Sequence, residues 1–222
     1  MRPFVARDGH YVARLDETER AVLADLTEGV ATLLGAPDLD DEPAARDWPP
    51  AWAAEGSDED AGRSPDAADH SDPAVRRLLP DGSRDPAEAA EFRRLAGEDV
   101  RLRKVDGLRT WRRALHSPQG RRGNEVVVTP AQADAVAAAL TDLRLVLAER
   151  LEIRTEQDTD RRYAEAAAPD PPGLDEAEIA RRAVRRAFVA MYDVLSVLQE
   201  TLVTAMLADA RRRTSRGRAG AG

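Results

Sequence analysis

Between Thr129 and Leu151 the chain runs TPAQADAVAAALTDLRLVLAERL, with large apolar residues at Val136, Leu140, Leu143, Leu147 and Leu151. Intervals of four, three, four and four put those side chains on one face of an α-helix and on no single face of a strand. Thr129-Pro130-Ala131-Gln132 ahead of them has the form of a capping box with proline at the first helical position. A seam this narrow has to be covered by other helices, which points to a helical bundle. The composition agrees. Hydrophobic residues make up 42% of the chain but aromatics only 4%, and 41 residues are alanine, so the core must come from Leu, Val and Ala.

Other elements follow from the same signals. PFVARDGHYVARL (Pro3 to Leu15) alternates about Asp8-Gly9, the dipeptide favoured in a two-residue hairpin turn, and NEVVVT reads as a further short strand able to extend that hairpin through Val126 to Val128. Asp16 with Glu19 forms a capping box for a helix that carries Val22, Leu23, Leu26, Val30, Leu33 and Leu34 and stops at Gly35. Asp72-Pro73 and Asp85-Pro86 start two more helices. In the second, Phe92, Leu95, Leu102, Val105, Leu108 and Leu115 line one side, with a kink at Gly97 or Gly107. Gly120 to Gly123 reads as a basic loop, and TEQDTDRRYAEAAAPDPPGL as a polar loop. Residues 36–70 hold eleven carboxylates against two arginines, a net of −9, whereas the whole chain is −8. The acidity belongs to that segment and not to the folded body.

The expected fold is therefore mainly α, a bundle of four to five main helices with a small N-terminal β-hairpin. Residues 1–35 carry the hairpin and first helix, 36–70 form an acidic insert without fixed structure, 71–210 the helical body, and 211–222 a basic tail without fixed structure.

The last helix, opened by Asp175 and Glu178 and about 35 residues long, holds the densest apolar run, YDVLSVLQETLV. Val184, Met191, Leu195, Leu198 and Leu202 fall on one face, and Val189, Tyr192, Val203 and Leu207 on its neighbour. That arc is wider than an amphipathic surface helix needs, so the helix is either central to the bundle or shared with another subunit. Val189, Tyr192, Val203 and Leu207 are thus candidate partner-binding residues, as are Trp48 and Trp52 in the acidic DWPPAW stretch. Asp193 and Glu200 lie opposite the apolar arc and read as its solvated strip. An enzymatic use of them, or of Asp142, requires convergence in a pocket.

Much chemistry is missing from the chain. There is no cysteine, His10, His70 and His116 are scattered, and no glycine-rich phosphate loop or GxSxG elbow occurs. The expectation is no catalytic residue, no metal and no cofactor. No stretch approaches the roughly 20 apolar residues of a membrane span, which points to a cytoplasmic protein without a membrane partner. Arg109, Arg112, Arg113, Arg121 and Arg122 are the candidate nucleic-acid contacts. Most arginines have carboxylates at helical spacing, so ion-paired surface is the simpler reading.

Taken together, MRPF, DPAVRRLLPD, DPAEAAEFRRL, LTDLRLVLAERLEI and YDVLSVLQETLV resemble an actinobacterial domain-of-unknown-function family, number 2017. The resemblance spans nearly the whole chain outside the acidic segment and the tail. It implies gene neighbourhoods beside the Clp protease adaptor and a sulfur-transfer cluster with a JAMM-type peptidase, and a transcriptional-regulator label on some members. No catalytic residue is implied. The leading expectation is a non-enzymatic interaction factor, an adaptor or accessory protein linked to regulated proteolysis through the Clp machinery, or a self-associating chain. Its rival is a transcriptional regulator with an arginine-rich DNA-binding face.

Overall fold

A computed structural model describes residues 1–40, 72–120 and 123–219. Three short strands come first to hand: β1 (Arg2–Arg7), β2 (His10–Arg14) and β3 (Glu125–Val128) form one antiparallel sheet in the order β1-β2-β3. Asp8 and Gly9 both take positive φ, 50° and 77°, as the tight hairpin turn requires. The pleat sends Tyr11, Ala13, Val126 and Val128 into the core, while Arg7, Arg14 and Glu125 stay on the outer face.

The helices are α1 (Glu17–Leu33), α2 (Pro73–Leu78), α3 (Pro86–Phe92), α4 (Glu98–His116), α5 (Ala133–Arg150), α6 (Glu156–Ala167) and α7 (Glu176–Ala219). The Asp16–Glu19 capping box opens α1, and Asp72 caps α2 with Pro73 in its first turn. A π-helical turn, Arg93–Gly97, joins α3 to α4, so the expected irregularity falls at Gly97. Gly107 serves close packing instead: a Cβ there would lie 3.0 Å from the Ala135 carbonyl oxygen of α5.

The centre of the bundle is α5. Val136, Leu140, Leu143, Leu147 and Leu151 are all buried, and Ala139, Asp142 and Val146 are buried on a second side. Helices α1, α2, α4 and α7 all pack on it. The buried face of α7, with Leu195, Leu198 and Leu202 fully enclosed, runs antiparallel along α5. Phe4 closes the end of the core, its ring 6.5 Å from the fully buried Trp111 and its backbone N–H bonded to Thr201 Oγ1 at 3.2 Å.

Four sequence expectations need correction. The polar stretch after Leu151 is not all loop, because Thr155 and Asp158 form a capping box that starts α6. Its apolar pattern is too thin to announce a helix. Part of its hold is polar: the buried Arg162 donates to the Leu151 carbonyl at 2.7 Å and pairs with Glu152 and Glu165. The capping box at Thr129 is only half made. Gln132 Oε1 accepts from the Thr129 N–H, but Thr129 Oγ1 also donates to Gln132, and α5 starts later, at Ala133. Phe92 and Leu95 do not line the core; they are 40% and 48% exposed, and the Phe92 ring covers Gly82. Finally, α7 is 44 residues long and continues past Arg211 to Ala219, where four of the eight added residues are arginine, a good helix former.

Leu198→Ala would open a cavity where α7 meets α5. Urea unfolding should show a loss of about 2–5 kcal/mol.

Candidate interaction surfaces

The residues with chemical character fall into separate places on the molecule. On the outer face of the sheet, Glu125 is 7% exposed and sits between two arginines. Arg7 Nη1 donates to Glu125 Oε1 at 3.0 Å, and Arg14 donates to the same oxygen from Nε and Nη2 at 3.1 and 2.8 Å. These guanidiniums hold the carboxyl down at about 2. Gly120, at φ 81°, lies over the carboxylate so closely that a Cβ would meet Glu125 Oε2 at 2.7 Å. A polar cleft of about 550 Å³ opens beside it, lined among others by His10, Arg113, Gln119 and Gln132.

Between α4 and α5, Lys104 Nζ donates to Asp142 Oδ1 at 2.6 Å. Lys104 is the chain's one lysine. Burial pushes the Asp142 carboxyl upward, and the ammonium opposes that push. On the other side of α5, Arg144 Nη1 donates to Gln199 Oε1 at 2.6 Å, and its guanidinium stands 5.2 Å from the Tyr192 ring centre. Gln199 is itself fixed by a 2.7 Å bond to Thr141 Oγ1, and the Arg144 Nε is buried without a partner among the described residues. Tyr163 of α6 donates to Asp193 at 3.1 Å, and burial with that neighbouring carboxylate pushes its hydroxyl up to about 12.

The carboxylates weighed for catalysis do not converge. Asp142 faces Lys104, Asp193 faces Tyr163, and Glu200 is exposed. Two of the five candidate nucleic-acid contacts are drawn inward. Arg109 is 8% exposed and donates to the Leu39 carbonyl and to Asp106. Arg112 bonds Glu28 at 2.7 Å and also Asp40, so both residues tie α4 to the end of α1 and the chain just after it. Arg113 is exposed beside the polar cleft. Arg121 and Arg122, like Trp48 and Trp52, lie outside the described residues.

The candidate partner residues divide along α7. Val189 is 5% exposed, covered in a small cluster with Ala148, Leu151 and Ile153, so it offers no surface. Tyr192 is half-buried under Arg144, whereas Val203 and Leu207 are 36% and 53% exposed. Toward the start of the helix Ile179 and Val184 are 47% and 54% exposed, although the sequence pattern put Val184 with the core leucines. Glu176–Arg213 is long and apolar enough to cross a membrane by length and composition, and 22% of its most apolar stretch is buried. The strict count of consecutive apolar residues passed it over.

One comparison with known proteins bears on this architecture: the model of a domain of unknown function, DUF2017, matches residues 1–206. The chain belongs to the DUF2017 family. Neither a curated protein nor a solved structure matches it. The match covers both strands of the hairpin, the central α5 and most of α7, so it includes the exposed Ile179, Val184 and Val203 and stops one residue before Leu207.

Sequence reasoning missed the Arg144–Tyr192–Gln199 cluster. Its one signal was Arg144 inside the apolar stretch LRLVLA, where a cation needs partners from another helix.

Two predictions follow from the ion pairs. Lys104→Met leaves the Asp142 carboxylate buried without its cation and should cost about 3 kcal/mol at neutral pH. A carboxyl with a raised folded-state pKa stabilises the fold at low pH and loses that contribution as pH rises through the raised value. The cost of Lys104→Met, measured by urea titration, should therefore shrink as acid protonates Asp142. Glu125 has the opposite sign. Its contribution is present above the ordinary 4.5 and lost as pH falls toward about 2. Glu125→Gln should flatten that acid limb of the stability profile.

Proposed function

We propose that this DUF2017 chain works through protein–protein contact and not through catalysis. The observation that carries the reading is the surface of α7. The helix is about 66 Å long against about 27 Å for α5, which covers its buried face. It leaves Ile179 and Val184 bare toward one end and Val203 and Leu207 toward the other. Large apolar side chains left bare at two places on one helix supply surface for contact with a partner. The carboxylates weighed for acid–base work support this, since Asp142 and Asp193 are engaged in separate pairings, Glu200 is exposed, and the three do not share a cleft.

The finer form of the proposal is an adaptor or accessory factor in regulated proteolysis, which rests on the family resemblance alone. DNA binding through the Arg109–Arg122 region is the weaker rival, because Arg109 and Arg112 spend their donors on Leu39, Asp106, Glu28 and Asp40.

A tagged chain recovered from its native host, with and without nuclease, tests the reading. Quantitative mass spectrometry should show a stoichiometric protein that survives nuclease and is lost when Val184→Asp and Leu207→Asp are combined. Recovery only of nucleic-acid-dependent proteins would reverse the choice.

A further inference from the structure

We infer that the free edge of β3 is a docking edge: it takes an extended segment of another protein, with a β-branched residue at its centre, as a fourth strand of the sheet. The backbone pattern carries the argument. The Leu15 N–H donates to the Asn124 carbonyl at 3.0 Å, so Asn124, Val126 and Val128 turn their backbone groups toward β2. Glu125 and Val127 turn theirs the other way, off the edge of the sheet. Glu125 is met there by Gln119, with which it exchanges bonds of 2.7 and 3.0 Å in an antiparallel bridge. The next rung is vacant. Ser117 would fill it if the ladder continued, but its N–H instead donates to the Arg113 carbonyl at the end of α4. Among the described residues, neither the N–H nor the C=O of Val127 has a hydrogen-bond partner. Thr129 closes the edge, since Gln132 takes both its N–H and its C=O. A fourth strand is thus begun at Gln119 and left unfinished beside Val127.

The side chains around that rung select the occupant. Val5, Val12 and Val127 stand in register across the three strands, on the outer face of the sheet. Val12 is 5% exposed and Val127 half-buried, and both line the cleft of about 550 Å³ beside Glu125. A residue bonded to Val127 would set its side chain next to this row, where a β-branched group packs best on the pleated surface. The opposite wall is made of small residues, Ala114 and Ser117. Only another extended backbone matches the spacing of an unpaired N–H and C=O on one strand edge, which is how such an edge gains a strand. The edge is recessed between the hairpin turn, with Asp8 and His10, and the end of α4, with Arg113 and Ala114. Two edges recessed in this way do not reach each other, so a single extended peptide fits and the β3 of a second copy does not. The inference goes beyond the α7 reading and does not depend on it.

The test uses the full chain, isotopically labelled, and two end-blocked synthetic peptides: Thr-Thr-Val-Thr-Thr and the same peptide N-methylated at its valine. Nuclear magnetic resonance should show the Val127 amide of the free chain exchanging with solvent faster than those of Val126 and Val128. The unmodified peptide should shift the signals of Val12, Gln119 and Val127 saturably and slow the Val127 exchange. N-methylation removes the donor facing the Val127 carbonyl and should weaken binding at least about tenfold. Ser117→Trp, at an exposed position on the cleft wall, should weaken it comparably with the circular dichroism spectrum unchanged. Leu207→Asp, on α7, should leave it unaltered. Equal binding of the two peptides, or no saturable shift at millimolar peptide, overturns the inference. So does a Val127 amide already as protected in the free chain as its neighbours, whether by another segment of the chain or by a dimer that sedimentation detects. None of these outcomes bears on the pull-down through α7, so the two readings fail separately.

Discussion

The antiparallel contact between α5 and α7 is the constraint on which the rest of the molecule depends. Leu140, Leu143 and Leu147 on one helix and Leu195, Leu198 and Leu202 on the other are all essentially inaccessible to water. The remaining elements are placed relative to that pair. The sheet and Trp111 close the region around Thr201, α1, α2 and α4 cover the other sides of α5, and α6 covers part of α7. Burying six leucines supplies a large part of the folding free energy, at about 1.5–3 kcal/mol each. Because α7 is much longer than α5, the same contact that stabilises the fold leaves an unfilled extension of itself.

Arginine is used to finish helix ends. Helices α1 and α6 have no basic residue in their own last turns. In each case an arginine from a later helix reaches the exposed carbonyls: Arg101 of α4 donates to the Leu34 oxygen at 2.9 Å, and Arg186 of α7 to the Ala166 and Ala168 oxygens at 3.2 and 2.8 Å. Arg162 of α6 does the same for Leu151 at the end of α5. Free carbonyls at a helix C-terminus carry partial negative charge, so a guanidinium placed there both bonds them and complements the dipole. An arginine-rich sequence of this kind therefore implies a cross-linked bundle before it implies a phosphate-binding surface.

What could be read from the sequence was local, although the local Thr129 and Thr155 boxes were misjudged. The Asp8-Gly9 turn, the Asp16–Glu19 cap and the α5 seam each depend on residues a few positions apart, and each forms as its pattern requires. What escaped depends on contacts across the chain. Lys104 meets Asp142 and Arg144 meets Gln199 only because two helices are juxtaposed, so neither residue has a motif around it. Helix α6 is hidden for a related reason, since its buried anchor is an arginine and apolar periodicity does not register it. Periodicity also cannot say where a covering helix stops. Val184 has the spacing of a core residue and is exposed because α5 ends first.

That last mismatch links fold to function. A seam that continues at constant spacing beyond its partner is difficult to explain by the stability of the monomer, because bare apolar side chains on a helix add nothing to it and favour aggregation. A chain selected only to fold would replace Ile179 and Val184 with polar residues at no structural cost.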